Sequence, residues 1–147
     1  MGLFDRVRTS QQTQLSLGPA EAFAAITLIV IASDGYLADA ELDLLYTVLN
    51  RMQLFRSYSA DVMRRMFDKL SGILKRDGYE ALFSAAVATL PHDLYDTAFA
   101  IATDLVLSDG HVSEEEEGLL QSLANALELP GDTVHKIIDV MIIKNKG

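Results

Sequence analysis

Cysteine and tryptophan are absent from this 147-residue chain, and proline occurs only three times. The lack of cysteine excludes disulfides, thiolate metal ligands and a cysteine nucleophile together, and it fits a reducing compartment. Long hydrophobic runs are missing too. The longest uncharged stretches of apolar character, Ala22 to Ser33 and Ala81 to His92, are 12 residues each, well short of the ~20 that a helix needs to cross a bilayer. The start, Met1 to Arg8, has no apolar run behind its basic residues, so no signal peptide is expected. Gly2 suggests myristoylation, but Arg6 stands where Ser or Thr belongs. Positive charge is also scarce: 12 Lys and Arg face 21 Asp and Glu, for a net charge of −9. Such a surface repels nucleic acid and anionic membranes, and attracts cations or a basic protein patch. The plain alternative is that the charge serves solubility. A cytoplasmic protein, not integral to a membrane, is the expectation.

What is present is helical pattern. Half of the residues are apolar and 22% are charged, an ordinary globular composition. Residues 1–17 read as a lead-in segment, with an amphipathic turn over Leu3 to Arg8 and then a polar stretch. Residues 18–147 read as one helical domain, since no linker divides them. Gly18-Pro19 opens it, with Pro at the first helical position, where its missing N–H costs nothing. Ala20 to Ser33 is nearly all apolar, with Phe23, Ile26, Leu28, Ile29, Val30 and Ile31, the mark of a buried central helix. Helical spacing continues over Asp39 to Met52, and over Ala60 to Lys75 behind a Ser59 cap. The third helix shows an apolar face of Val62, Met63, Met66, Phe67, Leu70, Ile73 and Leu74. Asp77-Gly78 breaks the chain, Tyr79 to Leu90 is alanine-rich, and Pro91 ends it. His92 or Asp93 is then placed to cap a helix reaching Leu107. Two more run from Ser113 to Leu127 and from Thr133 to Lys144, the latter with Val134, Ile137, Ile138, Met141 and Ile142 as its apolar face. The tally is seven helices and no strand.

A shift of 75 residues overlays two of these hairpins. Ser33-Asp34-Gly35 falls on Ser108-Asp109-Gly110, Glu41 on Glu116, Leu44-Leu45 on Leu119-Leu120, and Asn50 on Asn125. Two copies are too few for a solenoid, and fit a pseudo-twofold duplication of a helix-turn-helix unit within an all-α bundle.

Three readings of the repeated Asp-Gly-x5-Glu segment compete. The first is structural: Gly closes one helix, and Ser113-x-x-Glu116 has the spacing of a capping box for the next. It accounts less well for Asp109, and for the first copy, where Ala38 cannot cap. The second is a cation site. The segment equals the second half of a calcium-binding loop, but the loop's first and third ligand positions hold Val30 and Ala32, or Leu105 and Leu107. A composite site is the better form. If the two turns lie side by side, Asp34, Glu41, Asp109 and Glu116 share one hard cation, with Asp39, Glu114, Glu115 and Glu117 around them. Carboxylates without Cys suit Ca, Mg or Mn, and His111 would shift the preference toward Zn or Mn. The third reading is that Glu114 to Glu117 is a solvated charge run.

These turns carry a family resemblance. Two Ser-Asp-Gly-x5-Glu-x-x-Leu-Leu turns about 75 residues apart, a Gly2-Leu-Phe-Asp-Arg-Val7 opening and a closing Leu127-Glu-Leu-Pro130 turn resemble the tellurite-resistance TerB family. The resemblance covers nearly the whole chain. It implies a seven-helix bundle, a cytoplasmic role in tellurite and metal stress, other stress-response proteins as partners, and no catalytic activity. It also implies acidic residues that chelate metal, which here fall on Asp34, Glu41, Asp109 and Glu116. Ala38 departs from the pattern, so the two turns need not be equal.

Nothing else points to chemistry. No phosphate loop, nucleophile elbow, zinc-protease helix or dinucleotide fingerprint is present, so no enzyme is expected. His135 and Asp139 are four apart on the last helix, a spacing that more often marks a surface contact than a ligand pair. Arg64, Arg65, Lys69, Lys75 and Arg76 make a small basic face, either solvated or paired with the acidic turns of a neighbouring molecule in a homo-oligomer. A divalent cation (Ca, Mg, Mn or Zn) at the repeated turns is the expected cofactor. The runner-up reading is a helical adaptor whose acidic turns are only caps.

Overall fold

The computed structural model describes residues 16–32, 39–108 and 110–146. The turn expected over Leu3 to Arg8 lies outside them. Seven α-helices stand among the described residues: α1 (Pro19–Ile31), α2 (Asp39–Asn50), α3 (Ala60–Asp77), α4 (Tyr79–Thr89), α5 (Tyr95–Leu107), α6 (Glu114–Ala126) and α7 (Gly131–Lys144). Two 3-10 turns, Gln53–Phe55 and His92–Leu94, complete the set, and no described residue is in a strand. The all-α expectation holds.

α1 is the axis of the bundle. A helix apolar on nearly every side is stable only when covered on nearly every side, and α2, α3, α4, α5 and α6 all pack on it. Phe23, Ile26 and Leu28 are fully enclosed; each such side chain contributes roughly 1.5–3 kcal/mol relative to exposure. Thr27 lies in the same enclosed stretch, and its hydroxyl donates to the Ala24 carbonyl at 2.8 Å, so no polar group is stranded. Leu17, the last residue of the expected lead-in, is buried in the same core. α5 is the second buried helix, with Ala98, Phe99, Ala102, Thr103, Leu105 and Val106 inside, and α7 packs on it.

Helix ends follow from local chemistry. Ser59 Oγ accepts the Val62 N–H at 3.2 Å and starts α3. Gly78, at φ 88°, both ends α3 and begins α4, a left-handed conformation that glycine adopts without a Cβ clash. α6 ends in a Schellman turn: Glu128 N–H donates to the Asn125 carbonyl at 3.0 Å and Leu129 N–H to that of Ala124 at 3.1 Å. The left-handed position is filled by Glu128, at φ 54°, where glycine is usual.

Three local expectations change. His92 and Asp93 do not cap α5; they form a 3-10 turn in which Leu94 N–H donates to the Pro91 carbonyl at 3.0 Å, so backbone bonds take the place of a side-chain cap. Val62 is 42% exposed, and Ile142 of α7 is 44% exposed. Val62 stands at the edge of the face that Met63, Met66 and Phe67 bury, and Ile142 lies beyond the half-buried strip of Val134, Ile137, Ile138 and Met141. Phe55, in the turn after α2, is a core anchor that helical spacing does not reveal, with its ring 6.3 Å from that of Phe23 and 5.4 Å from that of Tyr58.

Candidate functional site

The described parts of the two acidic turns sit at the N-terminal ends of α2 and α6. Asp39 and Glu41 fall in the first turn of α2, with Asp39 exposed and Glu41 half-buried. Asp34 lies outside the described residues, as does Ala38. In the second copy, Gly110 has φ 77° and donates its N–H to the Leu107 carbonyl at 3.1 Å, closing α5. Asp109 lies outside the described residues. His111 is exposed just before α6, as are Glu114, Glu115 and Glu117 within its first turn.

Glu116 is the best-defined of these residues. Its Oε1 accepts the Ser113 N–H at 2.9 Å, while Ser113 Oγ accepts the Glu116 N–H at 3.1 Å. The reciprocal capping box expected from the Ser-x-x-Glu spacing is therefore formed, and it satisfies two of the N–H groups that a helix start leaves without partners. Four acids in one turn also favour the positive end of the helix dipole. Oε1 is committed to the cap, and Oε2 has no bond to Ser113, so Glu116 keeps one oxygen that can serve a cation without loss of the cap.

The donor set is all oxygen, which fits a hard divalent cation. Among the described residues no group of three or more His, Asp or Glu is gathered for a metal. Val30 and Leu105, which occupy the first ligand position of a calcium loop, are buried in the core, consistent with the absence of that loop's first half.

Two polar constellations were not legible in the sequence. Asp104 is buried within α5, and its Oδ1 accepts from Lys144 Nζ at 3.1 Å and Asn145 Nδ2 at 2.8 Å. This pins the end of α7 to α5. A lone acid in an apolar helix is a signal of some such partner, but nothing in the spacing names residues forty positions on. At the other end, Glu21 Oε1 accepts the Gly18 N–H at 3.1 Å and its Oε2 accepts Lys69 Nζ at 2.8 Å, joining the start of α1 to α3. Partial burial works to raise the Glu21 pKa, but the Lys69 hydrogen bond, the Gly18 N–H and the Lys69 charge outweigh it and hold it below its ordinary value.

No described helix is long and apolar enough to cross a membrane. Comparison with curated proteins and with solved structures returns no significant match. The family comparison does: the model of the tellurite resistance protein TerB matches residues 20–138, from the start of α1 to the middle of α7. With both repeated turns and six complete helices inside that span, bar the first residue of α1, the chain belongs to the TerB family of tellurite-resistance proteins.

Proposed function

We propose that this chain is a non-enzymatic protein of the tellurite and metal-stress response that binds a divalent cation at its two Asp-Gly-x5-Glu turns. The observation that carries the reading is the repeated placement of one carboxylate. Glu41 and Glu116 both stand in the first turn of the helix that follows an Asp-Gly pair, 75 residues apart, in a chain of the TerB family. Asp34, Glu41, Asp109 and Glu116 are the ligands of this reading, and Asp39, His111 and Glu115 stand close enough in sequence to add to the set. A hard cation there would neutralise part of a net charge of −9 and hold two helix starts in register. The cell compartment in this reading is the cytoplasm, and its partners are other proteins of the stress response.

Isothermal calorimetry with Ca, Mg, Mn and Zn tests it. Saturable uptake by the wild type is expected, with loss in the double variant Asp34→Asn, Asp109→Asn. No uptake, or uptake unchanged in that variant, defeats the reading.

Two observations favour a second reading, that of an adaptor whose acidic turns are only caps. The capping box between Ser113 and Glu116 is complete without a ligand, and α7 exposes Val140, Ile142 and Ile143. In that case Glu116→Ala lowers stability equally with and without metal.

A further inference from the structure

A groove of about 550 Å³ runs between the start of α1, the Gln53–Phe55 turn and the first turns of α3. Leu54, Tyr58, Val62 and Met66 give it an apolar lining, and two cations, Arg65 and Lys69, and one acid, Glu21, complete its charged part. Lys69 is held by Glu21 at 2.8 Å, whereas Arg65 makes no ion pair among the described residues. Both belong to an exposed stripe of α3, Val62, Arg65, Lys69, Gly72 and Arg76, at the three-and-four spacing of one helix face. The charge of the chain is separated by sign around this face. Seven of the 12 Lys and Arg residues lie between positions 51 and 76, against only two acids, in a protein of net charge −9.

An apolar groove with a cationic edge fits a segment that carries an apolar side chain beside carboxylates. The chain's own surface offers such a segment. Val112 is 37% exposed, and Glu114, Glu115 and Glu117 follow it in the exposed first turn of α6. We propose that the groove receives the Val112-to-Glu117 segment of a second copy of this chain. Groove and segment sit on different elements, so one copy presents its segment while receiving another's. The contact is small against the ~1,200 Å² that a stable interface buries, and like net charges oppose it. The association is therefore weak and concentration-dependent, and it rests on seating Val112 among Leu54, Val62 and Met66 as much as on ion pairs, each of which adds little at a surface.

Sedimentation velocity up to about 1 mM protein, in a chelator so that no cation bridges two copies, tests the proposal with Arg65→Glu and Glu114→Arg. Both positions are exposed, and thermal melts check that each variant folds. The wild type is expected to self-associate, and each single variant roughly tenfold more weakly. The double variant, which restores the net charge, recovers association. So does an equimolar mixture of the two single variants, because every groove and segment within a mixed complex is then oppositely charged. Val112→Ser changes no charge and also weakens association. A wild type that stays monomeric overturns the proposal and leaves the groove to an acidic segment of another protein. So does a mixture no better than its components, or a Val112→Ser chain that associates like wild type.

Discussion

Glu116 is where the two uses of the acidic turn can be separated with single substitutions. Glu116→Ala removes the carboxylate that accepts the Ser113 N–H at 2.9 Å, half of a reciprocal cap. Losing such a cap costs ~1 kcal/mol. Unfolding entropy of ~2.1 cal/mol/K per residue gives roughly 0.3 kcal/mol/K for a chain of this length, so the melting temperature falls by about 3 °C. Glu116→Gln keeps an oxygen acceptor at the same place, since Gln also closes the box, and should melt within about 1 °C of wild type. Divalent cation at about 100 times its Kd adds up to ~2.7 kcal/mol to a folded state that binds it, or about 9 °C. In the metal reading, wild type gains that shift and Glu116→Gln gains much less. The assay is helical circular dichroism on heating, with chelator and then with each cation. If Glu116→Ala melts like wild type in chelator, or if Gln costs as much as Ala, the cap argument is wrong. If cation shifts Gln and wild type alike, Glu116 is no ligand.

Other outcomes follow from the same structure. Glu128→Gly should raise the melting temperature by about 2–3 °C, because a left-handed non-glycine residue costs ~1–2 kcal/mol, and the added freedom of glycine in the unfolded chain offsets only part of that. No gain would mean that Glu128 is not strained at φ 54°. Phe55→Ala should cost ~3–5 kcal/mol in denaturant titration, as for other enclosed aromatics; a loss below about 1 kcal/mol, the size of a surface change, would remove Phe55 from the core. Asp104→Ala strips the acceptor from Lys144 and Asn145, so amide exchange should quicken in the last turn of α7 before the rest of the helix; uniform exchange along α7 would contradict the pinning. Glu21 has a folded pKa below its ordinary value of 4.5. Its contribution is present above that pH and is lost as pH falls through the folded value. The stability gap between wild type and Glu21→Gln should therefore close in acid, and a gap that widens there refutes the sign.

Much of the fold was legible because the information is local. A helix apolar nearly all round has one stable place, and α1 occupies it. Ser59, Pro19, Gly78 and the Ser113-to-Glu116 pair punctuate the chain through bonds within four residues. What escaped the sequence depends on distance. Phe55 sits in a three-residue turn too short to show a period, and its burial comes from Phe23 and Tyr58 around it. Asp104 meets Lys144 only because α7 folds back on α5. Val62 continues the apolar count of α3 yet stands beyond the strip its neighbours cover. In the candidate site, the local geometry around Glu116 was legible as a cap. Whether four carboxylates converge is a question of tertiary approach, which spacing along the chain does not encode.

The most direct test of the central claim is a crystal structure of the protein soaked in manganese, with the metal located by its anomalous scattering. The account predicts one peak bonded to carboxylate oxygens from both turns, with Glu41 and Glu116 among the ligands and the Ser113–Glu116 cap intact. No peak at the turns, or a metal held elsewhere on the surface, contradicts it.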